Sequence, residues 1–153
     1  MTALSERLAA LDLSLPPALA PLASYVPARR HGDLLYLSGH VSRGAGAVVS
    51  GIVGAGVDTE TAAGLARGIA LDLLASAAAA LGSVDAVLGV VRLTGYVRSA
   101  PGFDGQPAVV NGASDLFVDL LGDAGRHART AIGVRELPLG AVVEIEAVFE
   151  VGG

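Results

Sequence analysis

The sequence predicts an α+β fold: a mixed sheet with two helices packed on one of its faces. Three observations lead there. Two segments carry apolar residues at helical spacing, each ending at a glycine. Several shorter runs carry strand character, and the last shows strict in–out alternation. Two helices cannot cover both faces of the sheet these strands make, so the second face is solvated or buried by a partner.

Ser5 to Leu11 fits a short helix. Pro16, Pro17, Pro21 and Pro27 then impose an extended arm, because proline lacks a donor and restricts its predecessor. The arm is assigned to residues 1–23. Leu34-Leu35-Tyr36-Leu37-Ser38 reads as a buried strand ending at Gly39, and Val48 to Val53 as a second, with a turn at Gly44 to Gly46 between them. Asp58 or Thr59 caps a long helix running to Leu81, with Gly82 as its stop and Leu65, Ile69 and Leu73 on one stripe. Its alanine-rich end, Ala77 to Ala80, permits close approach to a sheet.

Val87 to Val97 is the next strand. A second helix covers Val110 to Leu121, burying Leu116, Phe117, Leu120 and Leu121, and Gly122 closes it. His127 to Val134 and Val142 to Val151 are the last two strands, joined by Leu137-Pro138-Leu139-Gly140.

Alternation assigns sides. On the last strand Val143, Ile145, Ala147, Phe149 and Val151 face the helices, and Val142, Glu144, Glu146, Val148 and Glu150 face away. On the preceding strand Ala128, Thr130, Ile132 and Val134 form one row, and Arg129, Ala131, Gly133 and Arg135 the other. The expectation is that the arginine row shares the second face with the glutamates. Such a face is either a solvated surface whose ion pairs each contribute little or a charged cleft at a subunit boundary.

The chain has 153 residues and a mass of 15.2 kDa, which suits a single domain over 1–153. Its hydrophobic fraction is 52 %, its charged fraction 16 % and its mean hydropathy +0.61, a balance that excludes disorder. The excess apolar surface points to a buried subunit interface. The net charge is −5 and there is no lysine, which argues against nucleic acid as a partner. With no cysteine there are no disulfides and no thiolate chemistry, a composition that fits the cytoplasm. The N-terminal segment lacks the basic region of a signal peptide, and no 18-residue uncharged apolar stretch marks a membrane span. His31, His40 and His127 have no metal-ligand spacing, and the glycine-rich segments match neither a dinucleotide fingerprint nor a P-loop, so no metal and no cofactor are expected. Gly112-Ala113-Ser114 does not form a nucleophile elbow.

Arg126-His127-Ala128-Arg129-Thr130-Ala131-Ile132-Gly133-Val134, Leu137-Pro138 and Val143-Glu144-Ile145-Glu146-Ala147 together resemble the C-terminal signature of the RidA/YjgF family, the enamine/imine deaminases of the endoribonuclease L-PSP superfamily. Tyr25, the strand ending Ser38-Gly39, and Asn111 extend the resemblance over Ser24 to Val151. The arm and the Asn111–His127 segment look like a longer branch. The resemblance implies a chorismate-mutase-like fold and a homotrimer whose sheets form a central barrel, with ligand sites between subunits. It implies hydrolysis of 2-aminoacrylate-type enamines and imines to 2-keto acids and ammonia.

On that resemblance Arg129 would bind the substrate carboxylate and Glu144 would position water, with Glu146 as its alternate. Tyr25, Ser38, Gly39, Asn111 and Ala131 would contact the ligand, although Asn111 also reads as a helix cap. The chain departs from the family pattern in two places: Ala131 stands where active members often carry Cys, and His40 where Gln is common. His40 reads as a polar edge residue. The alternatives are a trimer that binds a keto acid or a partner protein without turnover and, with less support, a chorismate-mutase-like rearrangement or a ribonuclease.

Overall fold

The computed structural model describes residues 2–21 and 23–153. The expected arm and its N-terminal reading include residues 1 and 22, which lie outside that range. The chain opens with a helix, α1 (Leu4–Ala10), whose Leu4 and Leu8 are buried. An extended arm leads to β1 (Ala28–His31) and β2 (Leu34–Val41). A small hairpin follows, β3 (Arg43–Gly44) with β4 (Ala47–Val48). The single strand expected over Val48–Val53 is not formed. The chain turns at Gly51 (φ 152°), and β5 (Ile52–Val53) pairs instead with β6 (Gly56–Val57), in parallel.

Helix α2 (Thr59–Leu81) has the expected bounds, and both of its end signals act as the sequence implies. The Asp58 carboxylate accepts from the Thr61 amide at 2.7 Å, and Gly82 takes the left-handed conformation (φ 84°) that stops the helix. By length and composition α2 could cross a membrane, but its Ile69, Leu73 and Leu74 lie fully buried against the sheet and the next helix. Of its alanine-rich end, Ala77 is buried and Ala79 and Ala80 are exposed, so the close packing lies nearer the middle of the helix.

After β7 (Val87–Arg98) comes α3 (Gln106–Leu121), which starts four residues before the expected Val110. Pro107 is the reason: in the first turn its missing amide costs no helical hydrogen bond. Asn111 is therefore well inside α3 and not a cap. Leu116, Phe117 and Leu120 are fully buried as expected, and Leu121 is half-buried. The chain closes with β8 (Ala128–Val134) and β9 (Val143–Val151).

These elements make a five-stranded mixed sheet of order β1-β2-β9-β7-β8. Only β7 and β8 run parallel, and α3 is the crossover that such a pair requires. Both long helices cover one face. There Phe117 of α3 meets Phe149 of β9 edge to face, with ring centroids 5.6 Å apart. Such a contact adds about 0.5–1.5 kcal/mol to the burial of the two rings.

The inward row of β9 is the expected one: Val143, Ile145, Ala147, Phe149 and Val151 are all buried. The sides of β8 are the reverse of the expectation. Its register sets Arg129 beside Leu93, Ala131 beside Gly95 and Gly133 beside Val97, and that row of β7 is buried beneath the helices. Arg129 and Ala131 thus face the helices, while Thr130 and Ile132 face away with Glu144 and Glu146. The two rows of β8 are those that alternation defines, but pairing with β7 decides which of them turns inward, and that is not a local property of β8.

Candidate functional site

The expected site residues gather in two places. The first is a cavity of about 350 Å³ where the arm passes the ends of β2 and β9, bordered by Tyr25, Ser38, Gly39 and Glu144. Its making depends on a bulge. Leu37 pairs with Ala147 and His40 with Ile145, so Ser38 and Gly39 together oppose Glu146. The extra residue reverses the alternation of β2 from that point. Gly39 then lies beneath the Glu144 side chain, where a Cβ would collide with Oε1. A Cβ at this position would push the carboxylate aside from its place over the strand.

The bulge also corrects the expectation for His40. It is not an edge residue: it is 3 % exposed, with Nδ1 2.7 Å from the Ser38 carbonyl and Nε2 2.8 Å from Ser76 Oγ on α2. Burial lowers its pKa, and the nearby Arg43 lowers it further. Ser38 is a strut as well as a wall. Its hydroxyl donates to the Val26 carbonyl at 2.7 Å and its amide to Pro27 at 2.9 Å, which fixes the arm beside β2 and sets Tyr25 at the cavity rim.

Glu144 is half-buried, and no described cation lies within 4 Å of its carboxylate. Desolvation raises its pKa, and Glu146, two residues along on the same face, raises it further. Glu146 is exposed and accepts the Tyr96 hydroxyl at 2.9 Å. Of the two carboxylates, Glu144 is the one that borders the cavity. The opposite wall carries Pro138 and Leu139, residues whose sequence suggests only a connection. Leu139 has a left-handed backbone (φ 58°) and is 75 % exposed. Leucine seldom takes that conformation, which costs about 1 kcal/mol or more.

The second place is the junction of α3 with the edge strand β8. Arg129 Nη1 donates to Asn111 Oδ1 at 2.7 Å and to Ser114 Oγ at 3.2 Å. Asn111 and Ser114 are three apart on α3 and so share a helix face. Ser114 Oγ lies 2.9 Å from His127 Nε2, and His127 Nδ1 lies 2.6 Å from the Gly125 carbonyl. Ala131, the next residue on the Arg129 row, is half-buried. Neither Ser114 nor His127 stands out as a site residue in the sequence. The signal that could have found them is the 111–114 spacing on one helix and a histidine two residues before the key arginine.

Within one chain the two places cannot act on one small molecule. Glu144 is on β9 and Arg129 on β8, with β7 between them, and they point to opposite faces of the sheet. β8 is an outer strand, so one of its edges is open to a further chain. The expected Arg129–Glu144 pairing on a common face is thus not what a single copy provides. Among the described residues no group of three or more His, Asp and Glu side chains could hold a metal ion.

The comparisons agree with the fold. Residues 16–151 match the family model described as Endoribonuclease L-PSP. Protein TCP17 of Trypanosoma cruzi is 41 % identical over 142 residues, covering 92 % of this chain and 89 % of its own. The crystal structure of the Agrobacterium tumefaciens protein Atu1372, of unknown function, is 40 % identical with a TM-score of 0.88, over 99 % of this chain and 94 % of that one. RidA from an Antarctic Psychrobacter is 26 % identical with a TM-score of 0.60, over 88 % of this chain and 94 % of its own. The backbone follows the Agrobacterium protein more closely than RidA. By the family match over most of its length and by its relatives, the chain belongs to the endoribonuclease L-PSP (RidA/YjgF) family.

Proposed function

We propose that the protein hydrolyses 2-imino acids and their enamine tautomers, of the 2-aminoacrylate type, to 2-keto acids and ammonia, at sites completed between copies of a homotrimer. One observation supports this reading: Arg129 and Glu144 lie on opposite faces of the sheet, so a site that used both would have to form between copies. One half offers a guanidinium, which forms a planar fork for a carboxylate. The other offers a half-buried carboxylate with a raised pKa beside a cavity of small-molecule size. The exposed Tyr36 and Ile132 of the open sheet face would be covered in such an assembly.

The chemistry then follows. Arg129 of one copy fixes the substrate carboxylate. Glu144 of the neighbouring copy accepts a proton from a water molecule as it adds to the imine carbon. The imine reacts as its N-protonated form, so the adduct is a neutral carbinolamine. Glu144 returns its proton to that nitrogen, the C–N bond breaks, and the hydroxyl proton passes to the departing ammonia, leaving the 2-keto acid and ammonium. A carboxylate that both takes and returns a proton works best when its pKa lies above the usual carboxylate range. Desolvation beside Gly39 supplies that shift.

The test generates the imine with an amino-acid oxidase and follows its disappearance by semicarbazide trapping. Wild type should accelerate keto-acid release, and Glu144→Gln should lose about a hundred- to ten-thousandfold of that acceleration, the usual range for a general base. No acceleration by a folded oligomer would sink the reading; 2-oxo acid binding without turnover would then leave a carboxylate-binding trimer. Light scattering should give three times the 15.2 kDa chain mass.

A second result concerns pH. A like charge raises a carboxyl pKa, so removing it lowers the pKa. Glu146→Gln should therefore keep Glu144 ionised to lower pH and move the acid limb of the kcat/KM profile downward. An unmoved limb would mean that another group controls it.

A further inference from the structure

The contacts around Arg129 carry more than its assignment as a carboxylate ligand. Hydrogen-bonding capacity fixes the direction of every link. The Gly125 carbonyl can only accept, so the His127 Nδ1 facing it at 2.6 Å holds the ring proton. His127 Nε2 is then a lone pair, and the Ser114 hydroxyl 2.9 Å away must donate to it. With its own hydrogen spent, Ser114 Oγ turns its lone pairs outward and accepts from Arg129 Nη1 at 3.2 Å. Nη1 carries two hydrogens. Asn111 Oδ1 takes the other at 2.7 Å. Both hydrogens of Nη1 are used within the chain, and no described residue takes those of Nε or Nη2.

We propose that His127 and Ser114 are positioning residues: His127, through the Ser114 hydroxyl, commits Arg129 Nη1 and so presents the Nε–Nη2 edge of the guanidinium to the ligand carboxylate. The inference rests on the reading that Arg129 binds a carboxylate. It adds which edge of the fork is offered and what holds it still. An arginine preset in this way loses less side-chain freedom on binding.

The surroundings keep the relay in its working form. Protonation at Nε2 would turn that atom into a donor, deprive the Ser114 hydrogen of its acceptor, and set a second cation beside Arg129. Burial lowers the His127 pKa, and Arg129 lowers it further. The Phe117 ring packs nearly perpendicular to the imidazole with centroids 6.2 Å apart, and the neighbouring Arg126 turns away to Asp123 at 3.4 Å. Arg129 is thus the charged group that His127 faces.

Two readouts test the proposal, and the first does not depend on turnover or ligand. In nitrogen NMR of the intact protein at neutral pH, His127 should be the Nδ1–H tautomer, and the Arg129 guanidinium should rotate slowly enough to resolve its two Nη signals. Ser114→Ala should collapse them to one. An Nε2–H tautomer, or unhindered rotation in wild type, overturns the relay even if the protein is an active deaminase. The second readout is the dissociation constant of 2-oxobutanoate. Ser114→Ala and His127→Phe should each weaken binding roughly five- to tenfold, the scale of one net hydrogen bond. The double variant should be no weaker than either, because both cut one chain of hydrogen bonds. Ser114→Thr, which keeps the hydroxyl, should restore binding. In turnover the loss should fall on KM with kcat nearly unchanged. Equal binding by wild type and Ser114→Ala overturns the proposal. Failure of wild type to bind any 2-oxo acid overturns the carboxylate reading of Arg129, while the NMR result still decides the relay.

Discussion

Arg129→Ala should lower kcat/KM for 2-imino acids by about a hundred- to ten-thousandfold and leave the fold intact. The magnitude is set by two charge-assisted hydrogen bonds to one carboxylate, each contributing about 1.5–3 kcal/mol. The small structural cost follows from where the side chain lies. Arg129 is half-exposed on the outer strand; of the two groups it would abandon, Asn111 is exposed and can turn to water, and the half-buried Ser114 keeps His127 as its partner. The stability lost should be about 1 kcal/mol, the net contribution of the hydrogen bonding given up. Arg129→Lys keeps the charge but not the planar fork, so it should recover only part of the activity. Kinetics and thermal melting on the same preparations check this. Full activity in Arg129→Ala would place the substrate carboxylate elsewhere; a melting point many degrees lower would make the residue chiefly structural.

Helix ends and the inward row of β9 were more legible in the sequence than the facing of β8. Tyr25, Ser38, Gly39 and Glu144, which the resemblance names together, border one cavity. Arg129 meets Asn111 as a hydrogen-bond partner. The bounds of α2 were legible because the Asp58 cap and the Gly82 stop are local devices. The inward row of β9 was legible because Phe149 and Ile145 alternate with glutamates. Three features were not legible. The facing of β8 is dictated by its parallel register with β7. The burial of His40 comes from a bulge in pairing with β9, and nothing in Ser38-Gly39-His40 alone announces the extra residue. Ser114 and His127 act through an oriented hydroxyl and a ring tautomer, properties that exist only once α3 and β8 are side by side.

The same substitution at two helical glycines should give opposite results, and the difference reports on the support of the site. Gly64 is an exposed position in α2, where an added Cβ would meet nothing within 4 Å. Gly64→Ala should therefore gain the helix-propensity difference, up to about 1 kcal/mol. That is a rise of about 2–4 °C in melting temperature for a chain of this size. Gly112 in α3 has the same propensity to gain, but its Cβ would collide with the backbone carbonyl of Ala63 in α2. The obstacle is main chain, which cannot rotate away, so the two helices must separate. Overpacking of that kind costs about 1–3 kcal/mol or more and outweighs the propensity gain. Against a total stability of about 5–15 kcal/mol the loss should be plain in a melting curve. Gly112 lies between Asn111 and Ser114, the two residues that hold Arg129 Nη1. A displaced α3 carries both away from β8, so Gly112→Ala should also weaken 2-oxobutanoate binding, whereas Gly64→Ala should not. Equal stability in the two variants would show that α2 and α3 can part at this crossing at little cost, and that the close approach of the helices is not what sets the arginine.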